Sequence, residues 1–229
     1  MGQRQYKYIA HSENSNGEEQ SMVQHSEGVA ELMKSFALAN DFAEIYSCCG
    51  LLHDLGKYST GFQKFIRSNG NKEPHARWGA YMALKSKLIN IAFPVIGHHA
   101  GLPNRDAMFE DLEICAKEEN KWKNIQQALE DDDFIIPICD NSPFDKIGDV
   151  FQKELFIRLL YSALVDADSL DTERHFEKEQ FDARSSKTLE VDALLTALNK
   201  RLESFKQDTP LNELRTNVRL YAQSLANAD

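Results

Sequence analysis

The amino-acid sequence predicts an all-α fold. Apolar residues recur at three- and four-residue spacing through most of the chain, which is the period of an amphipathic helix. No stretch alternates apolar and polar residues over the length of a strand. The 229 residues suffice for one large domain with a hydrophobic core, and no internal repeat is visible.

Helix boundaries follow from ordinary stop and start signals, such as Gly56 at one end and the pair Thr209-Pro210 at a beginning. Met22–Ala39 predicts a helix with His25 on its buried face. Residues 151–167 are apolar almost all round, so we expect a buried central helix there. The other expected helices cover 42–55, 61–67, 75–87 and 95–99, one built on Leu194 to Phe205, and one beginning at Pro210.

Charge is concentrated in residues 106–133, where apolar positions are sparse. We therefore predict a peripheral helical insertion over about 104–146. The expected organisation is one domain over 1–206 that contains this insertion, followed by a C-terminal helix over 207–229.

Composition excludes several classes of protein. A net charge of −10 and a pI near 5.2 oppose a general DNA-coating surface. The four cysteines show no C-x-x-C spacing, which leaves them as small apolar residues. Neither a secretory signal nor a membrane-spanning run is visible, so we expect a cytoplasmic protein without membrane contact.

Histidines carry the functional signal. Of the seven, five lie on or at the ends of predicted helices, namely His25, His53, His75, His98 and His99. A single histidine of this kind is more often a structural residue than a ligand. The H-D-L-G-K stretch 53–57 places an imidazole beside a carboxylate, and His98-His99 repeats the adjacent pairing.

Imidazole and carboxylate groups without cysteine suit catalytic divalent metals such as manganese, iron, cobalt, nickel or zinc. Two such ions can activate a water and neutralise charge on a phosphoryl group. Asp54 is our candidate for the bridge between them, because its two oxygens can bind separate ions whereas each histidine offers one usable nitrogen.

In this order the residues resemble the CRISPR-associated HD nuclease family, the N-terminal part of the type I nuclease-helicase or a separate chain beside the helicase. The similarity extends over nearly the whole chain. It rests on His25, His53-Asp54-Leu55-Gly56-Lys57, His75, His98-His99-Ala100-Gly101-Leu102-Pro103, the stretch 162–173 (S-A-L-V-D-A-D-S-L-D-T-E), and Asn212-Glu213-Leu214-Arg215, which resembles the lead-in to the helicase region.

The resemblance implies an HD-domain helical bundle with a di-metal site at its centre. It implies one ion held by His25, His53, Asp54 and Asp168, and another held by Asp54, His75, His98 and His99. Asp54 and Lys57 would be catalytic, with Lys57 contacting substrate phosphate. Magnesium joins the candidate metals above. The implied partners are single-stranded DNA, the type I helicase domain and the crRNA-guided Cascade surveillance complex.

For several residues near the predicted ligands, we weigh roles other than metal or DNA binding. We expect His11 to approach the site without binding metal. Periodicity cannot choose between Asp166 and Asp168, and the resemblance favours Asp168. We expect Asp166 and Asp171 to be solvent-facing or capping carboxylates, and Asp131-Asp132-Asp133 to be a solvated run.

Lys57 can also serve simply as a cation at a helix end. For Trp78 and Phe62, packing is favoured over stacking on DNA bases.

Three functions remain open from the sequence. The leading one is a two-metal nuclease that cleaves single-stranded DNA, with endo- or exonuclease action undecided, in type I CRISPR antiviral defence. The first alternative is an HD phosphohydrolase acting on a nucleotide or cyclic dinucleotide, because the same ligands serve monoesters and diesters. The second is a catalytically inactive HD docking module.

Overall fold

The structure is a computed structural model, and it describes residues 6–67, 70–71, 73–184, 190–205 and 209–226. It confirms the all-α prediction, with 71% of the described residues helical. The described part also contains two short antiparallel strands, β1 (Ile9–His11) and β2 (Gln20–Ser21), which the sequence pattern did not predict. They are too short to show an alternating pattern, and β2 leads directly into the first helix.

The helices follow one another with short connections. Ser21 caps the first helix: its side chain accepts a hydrogen bond from the backbone N–H of Gln24, and the Gln24 side chain accepts one from the backbone N–H of Ser21. The helices are α1 (Met22–Ser35), α2 (Ala43–Leu52), α3 (Thr60–Ile66), α4 (Ala76–Lys85), α5 (Ile89–Gly97), α6 (Arg105–Lys117), α7 (Glu119–Asp131), α8 (Ser142–Asp145), α9 (Val150–Phe176), α10 (Lys178–Asp182), α11 (Val191–Glu203) and α12 (Pro210–Ala226), with 3-10 turns at Asn40–Phe42 and Leu55–Tyr58.

The core is formed where α1, α2, α4, α5 and α9 pack together. Trp78 is completely buried there, and its ring stacks on Trp122 with 6.0 Å between centroids. Phe62 is also buried. Both aromatics therefore pack in the protein, as the sequence analysis favoured. Cys48, Cys49 and Cys115 are buried in the same core, which agrees with their reading as small apolar residues.

Helix α9 is not the fully buried helix that was predicted. Its buried residues, Phe156, Leu160, Leu164, Ala167 and Asp171, recur every three or four positions and form a single face. Phe151 and Leu155 lie on other faces and are exposed. Apolar residues occur around the whole helix, but only one face meets the core. Composition therefore overestimated the burial of α9.

The charged region 104–146 is not peripheral, contrary to the sequence analysis. Helices α6 and α7 each have one apolar stripe, which places Met108, Leu112 and Ile125 in the core. Phe134 and Phe144 extend the core beyond α7. The many charged residues lie on the outer faces of these helices, so the overall composition did not indicate that each helix also has a narrow buried face.

Two helix boundaries differ from the prediction and affect residues near the site. Helix α2 ends at Leu52, before Gly56, so Gly56 does not terminate it. Helix α5 begins at Ile89 and carries Pro94 inside it, whereas we had expected a helix beginning after that proline. His53 and His98 are consequently the first residues after their helices.

The chain divides into two compact units, Met1–Arg184 and Ser185–Asp229. The second unit contains α11 and α12, and α12 begins at Pro210 as predicted, with the Thr209 hydroxyl accepting a hydrogen bond from the backbone N–H of Asn212. The predicted boundary between 206 and 207 lies outside the described residues. Within the described part, no helix combines the length and the apolar character needed to cross a membrane.

Candidate metal centre

Seven predicted ligands from elements that are far apart in sequence come together in the first unit. They lie at helix ends or on inward helix faces: His25 on α1, His53 and Asp54 after α2, His75 before α4, His98 and His99 after α5, and Asp168 on α9. A residue at a helix end can direct its side chain along the helix axis into a space between helices. The crossing of these elements therefore creates one polar cluster within the apolar core.

The cluster contains two groups that could each hold a metal ion. One consists of His25, His53, Asp54 and Asp168, and the other of Asp54, His75, His98 and His99. Within each group, one nitrogen or carboxylate oxygen from every residue lies within 4.8 Å of the others. These groups have the same membership as the two ligand sets implied by the resemblance, and Asp54 is common to both.

Asp54 directs one carboxylate oxygen to each group. Its Oδ2 lies 3.3 Å from His25 Nε2 and 3.2 Å from His53 Nε2. Its Oδ1 lies 3.1 Å from His75 Nε2 and 3.4 Å from His98 Nε2. A carboxylate in this position can bind two ions at once, because its oxygens face separate sets of nitrogens.

The unpaired atoms of the cluster fit a pair of cations. Among the described residues, neither carboxylate oxygen of Asp54 nor Nε2 of His98 has a hydrogen-bond partner of suitable geometry, although all three atoms are buried. Lys57 Nζ does lie 2.6 Å from Asp54 Oδ2, as an ion pair. The positive charge of Lys57 partly neutralises Oδ2 of Asp54. The other oxygen, Oδ1, faces the imidazoles of His75 and His98. Imidazole nitrogens together with two carboxylates form a suitable donor set for a divalent transition metal.

Backbone carbonyls fix two of the imidazoles in the form that a metal requires. His53 Nδ1 donates to the carbonyl of Gly50, and His98 Nδ1 donates to that of Val95, each at 2.7 Å. These carbonyls belong to the last helical turn, where they lack an intrahelical partner. Because a carbonyl can only accept, Nδ1 must carry the proton. In the neutral ring, Nε2 is then a lone pair directed at the cluster.

Electrostatics in the first group favour protonated imidazoles and ionised carboxylates. Burial alone would lower the pKa of His25, but its close contacts with the carboxylates of Asp168, Asp171 and Asp54 raise it to about 9. The pKa of His53 is likewise raised to about 10, since the charge of Asp54 and the close contacts with the carboxylates of Asp54 and Asp168 outweigh burial. Burial opposes ionisation of Asp54 and Asp168, yet the surrounding cationic groups hold both pKa values well below the usual range.

The two groups differ in their access to solvent. The side chains of His25 and His53 are fully buried, and that of Asp168 is 19% exposed. In the second group the His75 side chain is 12% exposed, and His99 is an exposed residue. Burial and the charge on His98 lower the pKa of His99 to about 4. The cluster is therefore accessible to solvent at His75, His99 and Asp168.

Gly56 determines where His75 can lie. A Cβ atom at position 56 would fall far inside van der Waals distance of the carbonyl oxygen of His75, which belongs to the backbone and cannot rotate away. The backbone φ of Gly56 is not positive, so close approach rather than helix termination explains the glycine. On its other side the His75 ring packs edge-on against Phe62, with 5.2 Å between ring centroids.

Lys57 is buried beside the cluster. It is 6% exposed, its ammonium group is paired with Asp54, and it also lies 3.4 Å from the carbonyl of Ala10. This ammonium group therefore faces the Asp54 carboxylate and does not project from a solvated helix end. A contact between Lys57 and substrate phosphate stays a prediction.

Comparison with known families agrees with this geometry. Residues 22–134 match the family model of the HD domain. They form an HD domain. The matched segment contains the six candidate ligands from His25 to His99 and ends before Asp168. Because proteins of the HD family are metal-dependent phosphohydrolases, metal-dependent phosphohydrolase activity is the function that the HD domain supports. The comparison with curated proteins finds no match.

The structure distinguishes the carboxylates that the sequence left ambiguous. Asp166 is exposed, whereas Asp168 belongs to the first metal group. Asp171 is only 1% exposed, and its Oδ2 accepts a hydrogen bond from His25 Nδ1 at 2.8 Å. The expectation that Asp171 faces solvent was therefore wrong. Its position three residues after Asp168, on the same helical face, was the signal that could have identified it.

Other expectations near the site have mixed outcomes. His11 packs edge-on against the His25 ring, with 4.6 Å between centroids, and belongs to neither metal group. Burial and the charges of Lys57 and His25 lower its pKa to about 2, so it is neutral. The run Asp131-Asp132-Asp133 is not uniformly solvated, because Asp132 is buried and accepts the backbone N–H of Lys7.

Proposed function

We propose that this HD domain is a metal-dependent nuclease that hydrolyses phosphodiester bonds of single-stranded DNA. The observation that carries the proposal is Asp54, whose two carboxylate oxygens face two separate sets of histidine nitrogens. His25, His53, Asp54 and Asp168 would hold one divalent ion, and Asp54, His75, His98 and His99 the other. When bound, two such ions supply Lewis-acid activation of the phosphoryl group and lower the pKa of an attacking water.

The residues of the chain contribute orientation and charge. The carbonyls of Gly50 and Val95 hold His53 and His98 with their Nε2 atoms inward, so little reorganisation is needed on binding. Asp54 fixes the spacing of the two histidine sets. Lys57, whose ammonium group lies beside Asp54, would add positive charge next to the reacting phosphate.

The exposure of the cluster favours a polymeric substrate. His99 is exposed, and the side chains of His75 and Asp168 are partly exposed, so a phosphodiester in a flexible strand can approach these residues. Single-stranded DNA bends more readily than a duplex, so its phosphates can reach a partly buried site more easily. The protein carries a net charge of −10, so basic surface for DNA must come largely from elsewhere.

Partners would provide that basic surface and the target. We propose that the protein acts with a type I helicase domain, in the same or a separate chain, on DNA opened by the crRNA-guided Cascade complex, in antiviral defence. The support is the order of the motifs and the resemblance of residues 212–215 to a helicase lead-in. The protein alone is therefore expected to bind DNA weakly, and a tight metal-independent DNA complex would contradict this.

A small-nucleotide substrate is the alternative that the same site permits. The ligand set provides phosphoester chemistry without selecting a diester over a monoester. A docking module without catalysis is a further alternative. It is less well supported than an enzyme, because seven side chains that can bind metal come together.

Cleavage of circular single-stranded DNA tests the proposal. The protein is stripped with EDTA and reconstituted separately with manganese, nickel, cobalt, iron, magnesium or zinc, next to His53→Ala and Asp54→Ala. Asp166→Asn, on the exposed face of α9, is the control. We expect metal-restored cutting that both alanine variants lose and the control keeps. If two ions bind and only nucleotides or cyclic dinucleotides are hydrolysed, the small-nucleotide alternative replaces the nuclease; if no ion binds, the docking module does.

A further inference from the structure

We infer that Asp171 is a positioning residue that orients His25 and makes the first metal group, His25, His53, Asp54 and Asp168, the tighter of the two. This inference rests on the proposed function, since it concerns the same metal centre. Asp171 lies outside both ligand groups. It acts, in our account, through His25 alone and touches neither substrate nor metal.

The hydrogen bond from His25 determines which imidazole nitrogen faces the centre. His25 Nδ1 lies 2.8 Å from Asp171 Oδ2, and His25 Nε2 lies 3.3 Å from both Asp54 Oδ2 and Asp168 Oδ1. An ionised carboxylate can only accept, so Nδ1 keeps its proton and Nε2 presents its lone pair when the ring is neutral. A carboxylate behind a histidine also makes it a stronger metal donor.

The carboxylate itself is held on three sides. Gln20 Nε2 donates to Oδ2 at 2.7 Å, and Arg174 Nη1 lies 3.4 Å from Oδ1. On the third side, Gly28 of α1 leaves room for the carboxylate. A Cβ atom there would lie far inside contact distance of Asp171 Oδ1. Because Gly28 follows His25 by three residues on the same face of α1, a side chain at 28 would displace the group that orients His25.

This arrangement distinguishes the two metal groups. In the described residues, Nδ1 of His53 and Nδ1 of His98 each donate to a neutral backbone carbonyl. Nδ1 of His25 instead donates to the carboxylate of Asp171. His25 is a member of the first group only. The first group is also the more buried, which excludes competing water. Orientation, donor strength and burial therefore all favour tighter binding there than in the group of His75, His98 and His99.

Titration with cobalt(II) tests this inference without relying on activity. The metal-free full chain is titrated while the visible d–d bands of cobalt report the geometry and number of ligands at each site. We expect two binding steps in the unaltered protein. Asp171→Asn should weaken the first step by about 10- to 100-fold, which is the usual effect of removing such an outer partner, and change its spectrum, while leaving the second step unchanged.

Two further variants separate positioning from general damage to the fold. Gly28→Ala should weaken the same step although it removes no polar group, and alanine is itself favoured in a helix. Asp166→Asn makes the same chemical change on the exposed face of α9 and should leave both steps within twofold of the unaltered protein. Circular dichroism at the titration temperature confirms that each variant is folded.

Each outcome has a definite meaning. Two unchanged cobalt steps in folded Asp171→Asn would overturn the inference and leave the proposed function standing. Equal weakening of both steps would also overturn it, because the effect would not act through His25. If the unaltered protein binds no cobalt, both the inference and the metal-dependent function fail. If Gly28→Ala does not fold, the comparison of Asp171→Asn with Asp166→Asn still decides.

Discussion

His25 Nε2 and His53 Nε2 lie 3.2 Å apart and face each other across the interior of the HD domain. Two protonated nitrogens cannot approach in this way without repulsion, and two lone pairs would also repel. A shared proton or a shared cation relieves both problems. Since Asp54 Oδ2 and Asp168 Oδ1 border the same space, this space carries enough negative charge to retain either one.

Metal binding should therefore release protons. The raised pKa values of His25 and His53, about 9 and about 10, mean that this pair retains at least one proton at pH 7 without metal. A metal needs the neutral imidazole, so binding must displace that proton. Calorimetric titration at pH 7 in two non-coordinating buffers of different ionisation enthalpy should give different binding heats. Identical heats would show that no proton leaves.

The same pKa values determine how metal affinity changes with pH. A histidine pKa raised above 6.5 stabilises the metal-free protein fully below about pH 6.5, and this stabilisation is lost as the pH rises through 9 to 10. Protons therefore compete less with metal at higher pH, and affinity should increase between pH 6 and 9. A fall in affinity over this interval, without precipitation of metal hydroxide, would contradict the assignment.

Metal should also stabilise the fold. The ligands come from α1, α9 and three helix ends, which separate on unfolding, so a bound ion favours the folded state. At a free metal concentration of 100 times the dissociation constant, one site adds about 2.7 kcal/mol to the free energy of unfolding, or roughly 5–10 °C in Tm for a domain of this size. Scanning calorimetry with manganese and with EDTA measures the difference. Equal Tm values under saturating metal would contradict the account.

Gly56→Ala should damage the site through the backbone of His75. The added methyl group would meet the His75 carbonyl, so we expect a loss of about 1–3 kcal/mol in the free energy of unfolding and weaker binding at the group containing His75. Urea unfolding and metal titration measure the two effects. Gly148→Ala is the matched control, because its nearest neighbour is the flexible end of Gln152, and it should stay within about 0.5 kcal/mol. A Gly56→Ala variant as stable as this control would refute the close-packing explanation.

The sequence predicted the fold class from local patterns, and the family resemblance implied which residues form the cluster. His53-Asp54 and His98-His99 occur at ends of helices that periodicity can detect, and order along the chain supplied the resemblance. Periodicity did not show which face of a helix meets the core. The exposed Phe151 and Leu155 on α9, and the buried Met108 on α6, were misjudged for that reason.

Contacts between segments that are distant along the chain could not be predicted from the sequence either. Asp171 and His25 are separated by 146 positions, and although helical spacing places Asp171 on the same face as Asp168, it does not indicate that Asp171 contacts His25. The reason for Gly56 was equally hidden, since it is the backbone of His75, 19 positions later, that excludes a side chain there. Both features follow from how the helices cross, which a single sequence does not specify.

The most direct test of the account is the metal content of the protein by native mass spectrometry after reconstitution with manganese, compared with Asp54→Ala. The central claim is that Asp54 bridges two ions, so we predict two ions per chain in the unaltered protein and at most one, weakly held, in Asp54→Ala. Asp166→Asn should retain two. Two ions in Asp54→Ala, or none in the unaltered protein, would contradict the claim.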